Sequence, residues 1–261
     1  MTEKPVDDVV RDQLPVVSAA AEAARFGTAA SHVAAGAGRF LVGTAKDLRH
    51  GKLPGKSDVA RELRVTFEHL GPTYVKLGQL IASSPGVFSP ELSNEFESLL
   101  DHVRPADADE IHRIIEAELG QPAREVFATF DDEPIASASI AQVHTATLIG
   151  GQEVVVKVQR PGIARRLAPD VALLERVAGL VELSEYGRML SARHVVEDFA
   201  DGLNAELDFR NEAATMEEWF ECLQPGPFGD RVRVPKVYHD LTTPKVMTME
   251  RIYATLSLIH I

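Results

Sequence analysis

Apolar residues recur at three- and four-residue spacing through the first half of the chain and then change to short β-branched runs. Helices are therefore expected first and a sheet second. Val59, Leu63, Phe67 and Leu70 form one apolar helix face that ends at Gly71-Pro72. Helix is expected again over residues 74–82, closed by Ser83-Ser84-Pro85-Gly86. Ser89 followed by Pro90 reads as an N-cap with proline at the first helical position, opening a helix to about residue 100. Asp107 caps the next, over 110–119, which Gly120 stops. Strands are expected over 126–130, 141–148 and 153–159, the last two joined as a hairpin by Ile149-Gly150-Gly151-Gln152. Helix resumes over 163–183 and, as one long acidic helix, over 191–222. Residues 232–235 and 245–250 read as final strands.

The upstream pattern is different. Residues 18–50 are alanine-rich and helical in character, following a polar tail with Pro5 and Pro15. Glu22, Arg25, His32 and Arg39 interrupt this stretch, so no run approaches the roughly 18 apolar residues that a membrane span needs. It reads as an amphipathic packing helix, with a membrane-surface helix as the sharper alternative. Gly51-Lys52-Leu53-Pro54-Gly55-Lys56 breaks it. The organisation that follows is a tail and Ala-rich helix over 1–56, a helical extension over 57–120, a sheet-bearing domain over 121–252, and a non-native tail over 253–261. The fold class is α+β.

Composition narrows the function. The chain has 261 residues, 45% hydrophobic and 25% charged, which are ordinary globular values. Its formal charge of −12, with acids and bases interspersed, speaks against a nucleic-acid partner. The single Cys222 leaves no internal disulfide and fits a reducing compartment. Asp7, Asp8 and Asp12 in the first residues leave no secretory signal, and a cytoplasmic protein, peripheral to the membrane at most, is expected.

The chemistry centres on Lys157, which ends the run Val154-Val155-Val156 after a Gly-Gly turn. A lysine at the end of a buried strand is costly unless an anion meets it, the alternative being a side chain that reaches out to solvent. Ahead of it lies a loop of small residues, Ala136, Ser137, Ala138 and Ser139. A strand–turn–strand in that position is where a kinase keeps its glycine-rich loop. A glutamate on a following helix would be needed to hold the lysine, and residues 198–221 offer Glu206, Glu212, Glu217 and Glu218. Acids displayed all round one helix are more often a solvated face.

Taken together the motifs resemble the UbiB (AarF) atypical protein-kinase-like family, associated with ubiquinone biosynthesis. The resemblance runs from about residue 57 to residue 252. Its marks are Lys76-Leu77-Gly78-Gln79, the segment from Ala136 to His144, Val155-Val156-Lys157-Val158-Gln159-Arg160-Pro161-Gly162, and Glu206-Leu207-Asp208-Phe209-Arg210-Asn211-Glu212-Ala213. It implies a kinase-like small lobe, an antiparallel sheet with a long acidic helix, that binds ATP and Mg2+. Lys157 would hold phosphates and pair with Glu212, and Ala136, Ser137, Ala138 and Ser139 would line the phosphate loop. Met249, Glu250 and Ile252 would enter the adenine-binding hinge. Lys76, Gly78 and Gln79 would face Glu206 and Asp208 as a regulatory lid.

The resemblance also implies what departs from it. The family continues into a large lobe with a catalytic loop and a metal-binding Asp-Phe-Gly, and neither follows Ile252. Asp198-Phe199-Ala200 lacks the glycine and comes too early. The chain thus reads as an N-terminal fragment ending near the hinge, without catalytic or metal residues of its own. The parent is expected to be a kinase or ATPase supporting quinone-lipid biosynthesis, with a quinone-precursor lipid or a biosynthetic complex among its partners. The alternative is a pseudokinase-like scaffold whose nucleotide regulates binding to lipid or protein.

Overall fold

The computed structural model describes residues 13–253 except 52, 85, 100–103 and 224–230. Most of the polar tail and the C-terminal residues 254–261 lie outside the described residues. In chain order the helices are α1 (Ala19–Arg49), α2 (Lys56–Leu70), α3 (Pro72–Ala82), α4 (Pro90–Phe96), α5 (Ala108–Leu119), α6 (Ala123–Val126), α7 (Ile163–Val181), α8 (Glu185–Leu190), α9 (Ala192–Glu206) and α10 (Phe209–Leu223). The strands are β1 (Phe127–Phe130), β2 (Ala136–Ser137), β3 (Ala141–Leu148), β4 (Glu153–Gln159) and β5 (Val246–Glu250). Helical N-terminal region and small antiparallel sheet together make an α+β fold.

The chain divides into two compact units, Met1–His102 with Gly162–Asn204, and Val103–Pro161 with Ala205–Ile261. The first is helical. Ser18 caps α1 by accepting from the Ala21 N–H at 3.3 Å. Gly71, at φ 105°, takes a backbone conformation that side chains disfavour and lets α2 turn directly into α3, where Pro72 opens the helix. The aromatic edge contacts Phe67–Tyr74 and Phe67–Phe96, at 5.8 and 5.1 Å between centroids, join α2 to α3 and α4. Beneath α1 the buried Asp170 of α7 accepts from Arg25 and, at 2.8 Å, from the Thr73 hydroxyl. Arg25 also donates to the Leu70 carbonyl, so one guanidinium fastens α1 to the end of α2 and to α7. Burial, reinforced by Asp170, pushes the Tyr74 hydroxyl up to about 12. An apolar hollow of about 520 Å³ opens between these helices, lined by Val33, Phe40, Leu63, Phe67, Tyr74 and Leu174.

The second unit is built on the sheet, in the order β1-β3-β4-β5 with β2 beside β3. The hairpin register pairs Val143 with Lys157 and Thr147 with Glu153. Alternation along β4 decides its two faces. Val154, Val156 and Val158 are fully buried against Ile111 and Ile115 of α5, with Phe127 and Val246 in the same core. Val155, Lys157 and Gln159 stand on the other face. α5 is capped by Asp107 and ends at Gly120 in the left-handed region, φ 73°.

Three expectations change. The single acidic helix over 191–222 is two helices, α9 and α10, broken at Leu207-Asp208. Asp208 is the cause: its carboxylate accepts the Arg210 N–H at 3.1 Å and its carbonyl the Asn211 N–H, which starts a new helix. Helix α4 stops at Phe96 rather than near 100, because Ser98 and Leu99 bond three residues back, to Glu95 and Phe96, and tighten the last turn. Residues 232–235 form no strand. Pro235 has no N–H to donate, and the ladder is reduced to a single bridge between Val237 and Met249.

Candidate functional site

Lys157 sits on the sheet face opposite the valine core, its side chain 20% exposed. Two neighbours from α10 receive it. Its ammonium donates to Glu212 Oε2 at 2.5 Å, and lies 4.8 Å from the centroid of the Phe209 ring, which is itself buried. Glu212 stands one turn into α10, three residues after Phe209, so both reach the lysine from the same helix face. The lysine–glutamate pair expected from the family resemblance is therefore formed. Register places Met247 of β5 directly beside Lys157.

Gln159, two residues beyond Lys157, ties the strand to its surroundings. The Gln159 amide, buried at the end of β4, donates to the Leu207 carbonyl at 2.5 Å and to the Pro244 carbonyl at 3.3 Å. Phe209 N–H donates to the same Pro244 carbonyl at 3.0 Å, and the Asn211 amide to Ala205 at 3.1 Å. These bonds fix where α10 begins, and hence where Glu212 stands. Asp208 is buried, with its carboxylate gripped by Arg210: Nε to Oδ1 at 2.9 Å and Nη2 to Oδ2 at 2.6 Å. Burial opposes ionisation most strongly, yet the Arg210 bonds prevail and hold Asp208 below the usual carboxylate range. Glu206 is exposed at the end of α9.

The small-residue loop is a tight turn between β2 and β3. Ala136 pairs with Val143 and Ser137 with Gln142, and the Ala138 N–H donates to the Ala141 carbonyl at 2.8 Å. Ser139 is buried. Arg160 holds the turn from behind, donating to the Ala138 carbonyl at 2.7 Å, to Ser137 Oγ at 2.6 Å and to the Arg104 carbonyl at 2.9 Å. Behind β3, the Gln142 carbonyl oxygen accepts the Ala106 N–H at 2.8 Å and its amide donates to His144 Nε2 at 2.9 Å. His144 Nδ1 then donates to the Asp131 carbonyl at 2.8 Å, which fixes a neutral tautomer. Burial pushes His144 below its ordinary range.

At the exit of β5, Glu250 is engaged: its N–H donates to the Lys236 carbonyl at 2.8 Å, and its carboxylate pairs with Arg233. Met249 and Ile252 are half-buried. In the first unit, Lys76 and Gln79 lie half-buried on α3, and Gly78 is buried. Gly78 has an evident packing role, since a Cβ there would stand 2.2 Å from Leu99 and 2.5 Å from Phe96. Among the described residues no group of three or more His, Cys, Asp or Glu could hold a metal ion, and no helix is long and apolar enough to cross a membrane. Gln159, Arg160, Phe209 and Arg210 lie inside the motif segments, but no role for their side chains followed from the sequence; their place in those segments was the only signal.

The profile of the ABC1 atypical kinase-like domain matches residues 98–256. An uncharacterised protein of Mycobacterium tuberculosis, Rv0647c, is 51% identical over 256 residues, covering 97% of this chain and 50% of that protein. A protein named probable protein kinase UbiB from Cellvibrio japonicus is 44% identical over 192 residues, 73% of this chain and 34% of that one. A solved structure of the Rv3197–erythromycin complex from Mycobacterium tuberculosis is 26% identical and covers 82% of this chain and 48% of that one, with a TM-score of 0.48. The chain thus spans half or less of the length of these curated relatives. With the domain profile covering most of the chain, and a strand lysine paired to a helix glutamate inside it, the chain belongs to the ABC1 atypical kinase-like family.

Proposed function

We propose that the Lys157 face of the second unit binds ATP and that the full-length protein is an atypical kinase or ATPase supporting ubiquinone biosynthesis. The observation that carries the nucleotide reading is the Lys157–Glu212 pair at 2.5 Å, with Val143 of β3 in register between Lys157 and Ala136 at the start of the small-residue turn. A cation held in place by a half-exposed carboxylate can release part of that contact to a phosphate. The small residues of the turn leave room for phosphate oxygens to approach backbone and hydroxyl donors. Met249, Glu250 and Ile252 are the proposed adenine edge. Likeness to the UbiB proteins is what supports a quinone-lipid role.

Magnesium would arrive with the nucleotide in the full-length protein. The contribution proposed for this chain's own residues is to bind and orient the phosphates. The test is calorimetric titration of the full-length protein with ATP. Lys157→Ala removes a charge-assisted contact of about 1.5–3 kcal/mol and is expected to weaken ATP by about 10- to 150-fold. An affinity equal to wild type would end the assignment.

A further inference from the structure

Arg160 touches the small-residue turn at three of its positions. Its guanidinium donates to the Ala138 carbonyl at 2.7 Å and to Ser137 Oγ at 2.6 Å, and its backbone N–H donates to the Ile140 carbonyl at 2.9 Å. A further donation to the Arg104 carbonyl, at 2.9 Å, anchors the same guanidinium to the segment leading into α5. The planar fork of an arginine can serve several acceptors at fixed angles, which a lysine cannot reproduce. Arg160 lies three residues beyond Lys157 on the continuation of the same strand. The position of the turn is therefore set by the element that carries the phosphate lysine.

We infer that Arg160 is a positioning residue for phosphate recognition: it locks the turn of residues 137–140 in one register with Lys157, so that turn and lysine address the same phosphates. This rests on the ATP-binding reading above. With alanine and serine in place of glycines the turn has less conformational freedom, and its shape must be right before ligand arrives. Two carbonyls drawn back onto Arg160 also cannot face the phosphate oxygens and repel them. The ligand class that Arg160 governs is therefore the phosphate tail of a nucleotide.

The experiment compares ATP with adenosine in the full-length protein, for wild type, Arg160→Ala and the charge-conserving Arg160→Lys. Both variants are expected to weaken ATP by about tenfold or more while leaving adenosine within about twofold. Amide exchange across residues 137–141 of the nucleotide-free protein should accelerate in both. Equal weakening of ATP and adenosine would reduce Arg160 to a general structural residue and overturn the inference, as would unchanged ATP affinity. Wild-type protein that binds adenosine and ATP equally, or neither, would instead overturn the ATP reading itself and this inference with it. If Arg160→Ala does not fold, Arg160→Lys carries the comparison alone.

Discussion

Lys157 and Glu212 meet at 2.5 Å although 55 positions of chain separate them, and Phe209 lies under the same ammonium at 4.8 Å. Glu212 is 44% exposed, so water screens the pair, and such bridges contribute about 0–1 kcal/mol to stability. Its value lies in holding a long side chain still. Ordering one such chain costs about 0.5–1.5 kcal/mol, so Glu212→Gln should weaken ATP by about 2- to 12-fold. Denaturation of the same variant should show a stability within about 1 kcal/mol of wild type. A stability loss without any change in ATP affinity would reverse this division.

Gly78 offers a different kind of test. A methyl group at this position would stand 2.2 Å from Leu99 Cδ1 and 2.5 Å from Phe96 Cδ1, both of them buried side chains. Phe96 is poorly placed to retreat, because Phe67 also holds it edge-on. Gly78→Ala gains helix propensity of about 1 kcal/mol and forfeits about 1–3 kcal/mol to overpacking. Urea denaturation should show a net loss. A stabilised variant would mean that α4 is free to move away.

How much of this was legible in the sequence depended on how local each cause is. Helix ends at Gly71, Gly120 and Ser89, and the β3–β4 hairpin, are set by single residues whose conformational demands travel with them. The Lys157–Glu212 pair was expected from family resemblance, since strand and helix periodicity alone left several glutamates eligible. The break at Asp208 was hidden because Leu207-Asp208-Phe209 fits a helical pattern; the Asp208 carboxylate on the Arg210 N–H and the Asp208 carbonyl on the Asn211 N–H start a new helix there. Gln159 and Arg160 act through carbonyls 22 to 85 positions away, and no spacing rule reaches such partners.

In the first unit, Asp170 and Arg25 form a charged contact almost sealed from water, with side chains 4% and 21% exposed. Burial pushes the Asp170 carboxyl up, against the opposing pull of Arg25 and Thr73. Arg25→Met would leave a buried carboxylate with Thr73 as its remaining described donor, at a cost of about 3 kcal/mol near pH 7. Its pH dependence has a definite sign. A carboxyl whose folded pKa exceeds the unfolded value binds more protons when folded, so stability rises as pH falls toward about 4. The penalty of Arg25→Met should therefore shrink between pH 7 and pH 4. A penalty independent of pH would mean that the loss is one of packing, not charge.

His144 should act in the opposite direction. Its Nδ1–H donates to the Asp131 carbonyl and its Nε2 accepts from Gln142, whose own oxygen is taken by the Ala106 N–H. Protonation at Nε2 would set N–H against N–H, and turning the Gln142 amide would only transfer the conflict to Ala106. Burial is the leading cause of the lowered pKa, and it outweighs the nearby Asp131 and Asp132. The folded state thus holds fewer protons than the unfolded one below the ordinary value of about 6.5. Stability from this group is fully present above about pH 6.5 and is lost as pH falls through the depressed folded pKa. Urea denaturation between pH 7.5 and pH 5 should show wild type weakening as pH falls. His144→Gln, which cannot titrate, should be less stable at pH 7.5 but flatter over the same range. Proton-detected imidazole shifts should place His144 in the Nδ1–H form at pH 7, since Nε2 has no room for a proton. Parallel pH profiles for the two proteins would show that acid sensitivity arises elsewhere in the fold.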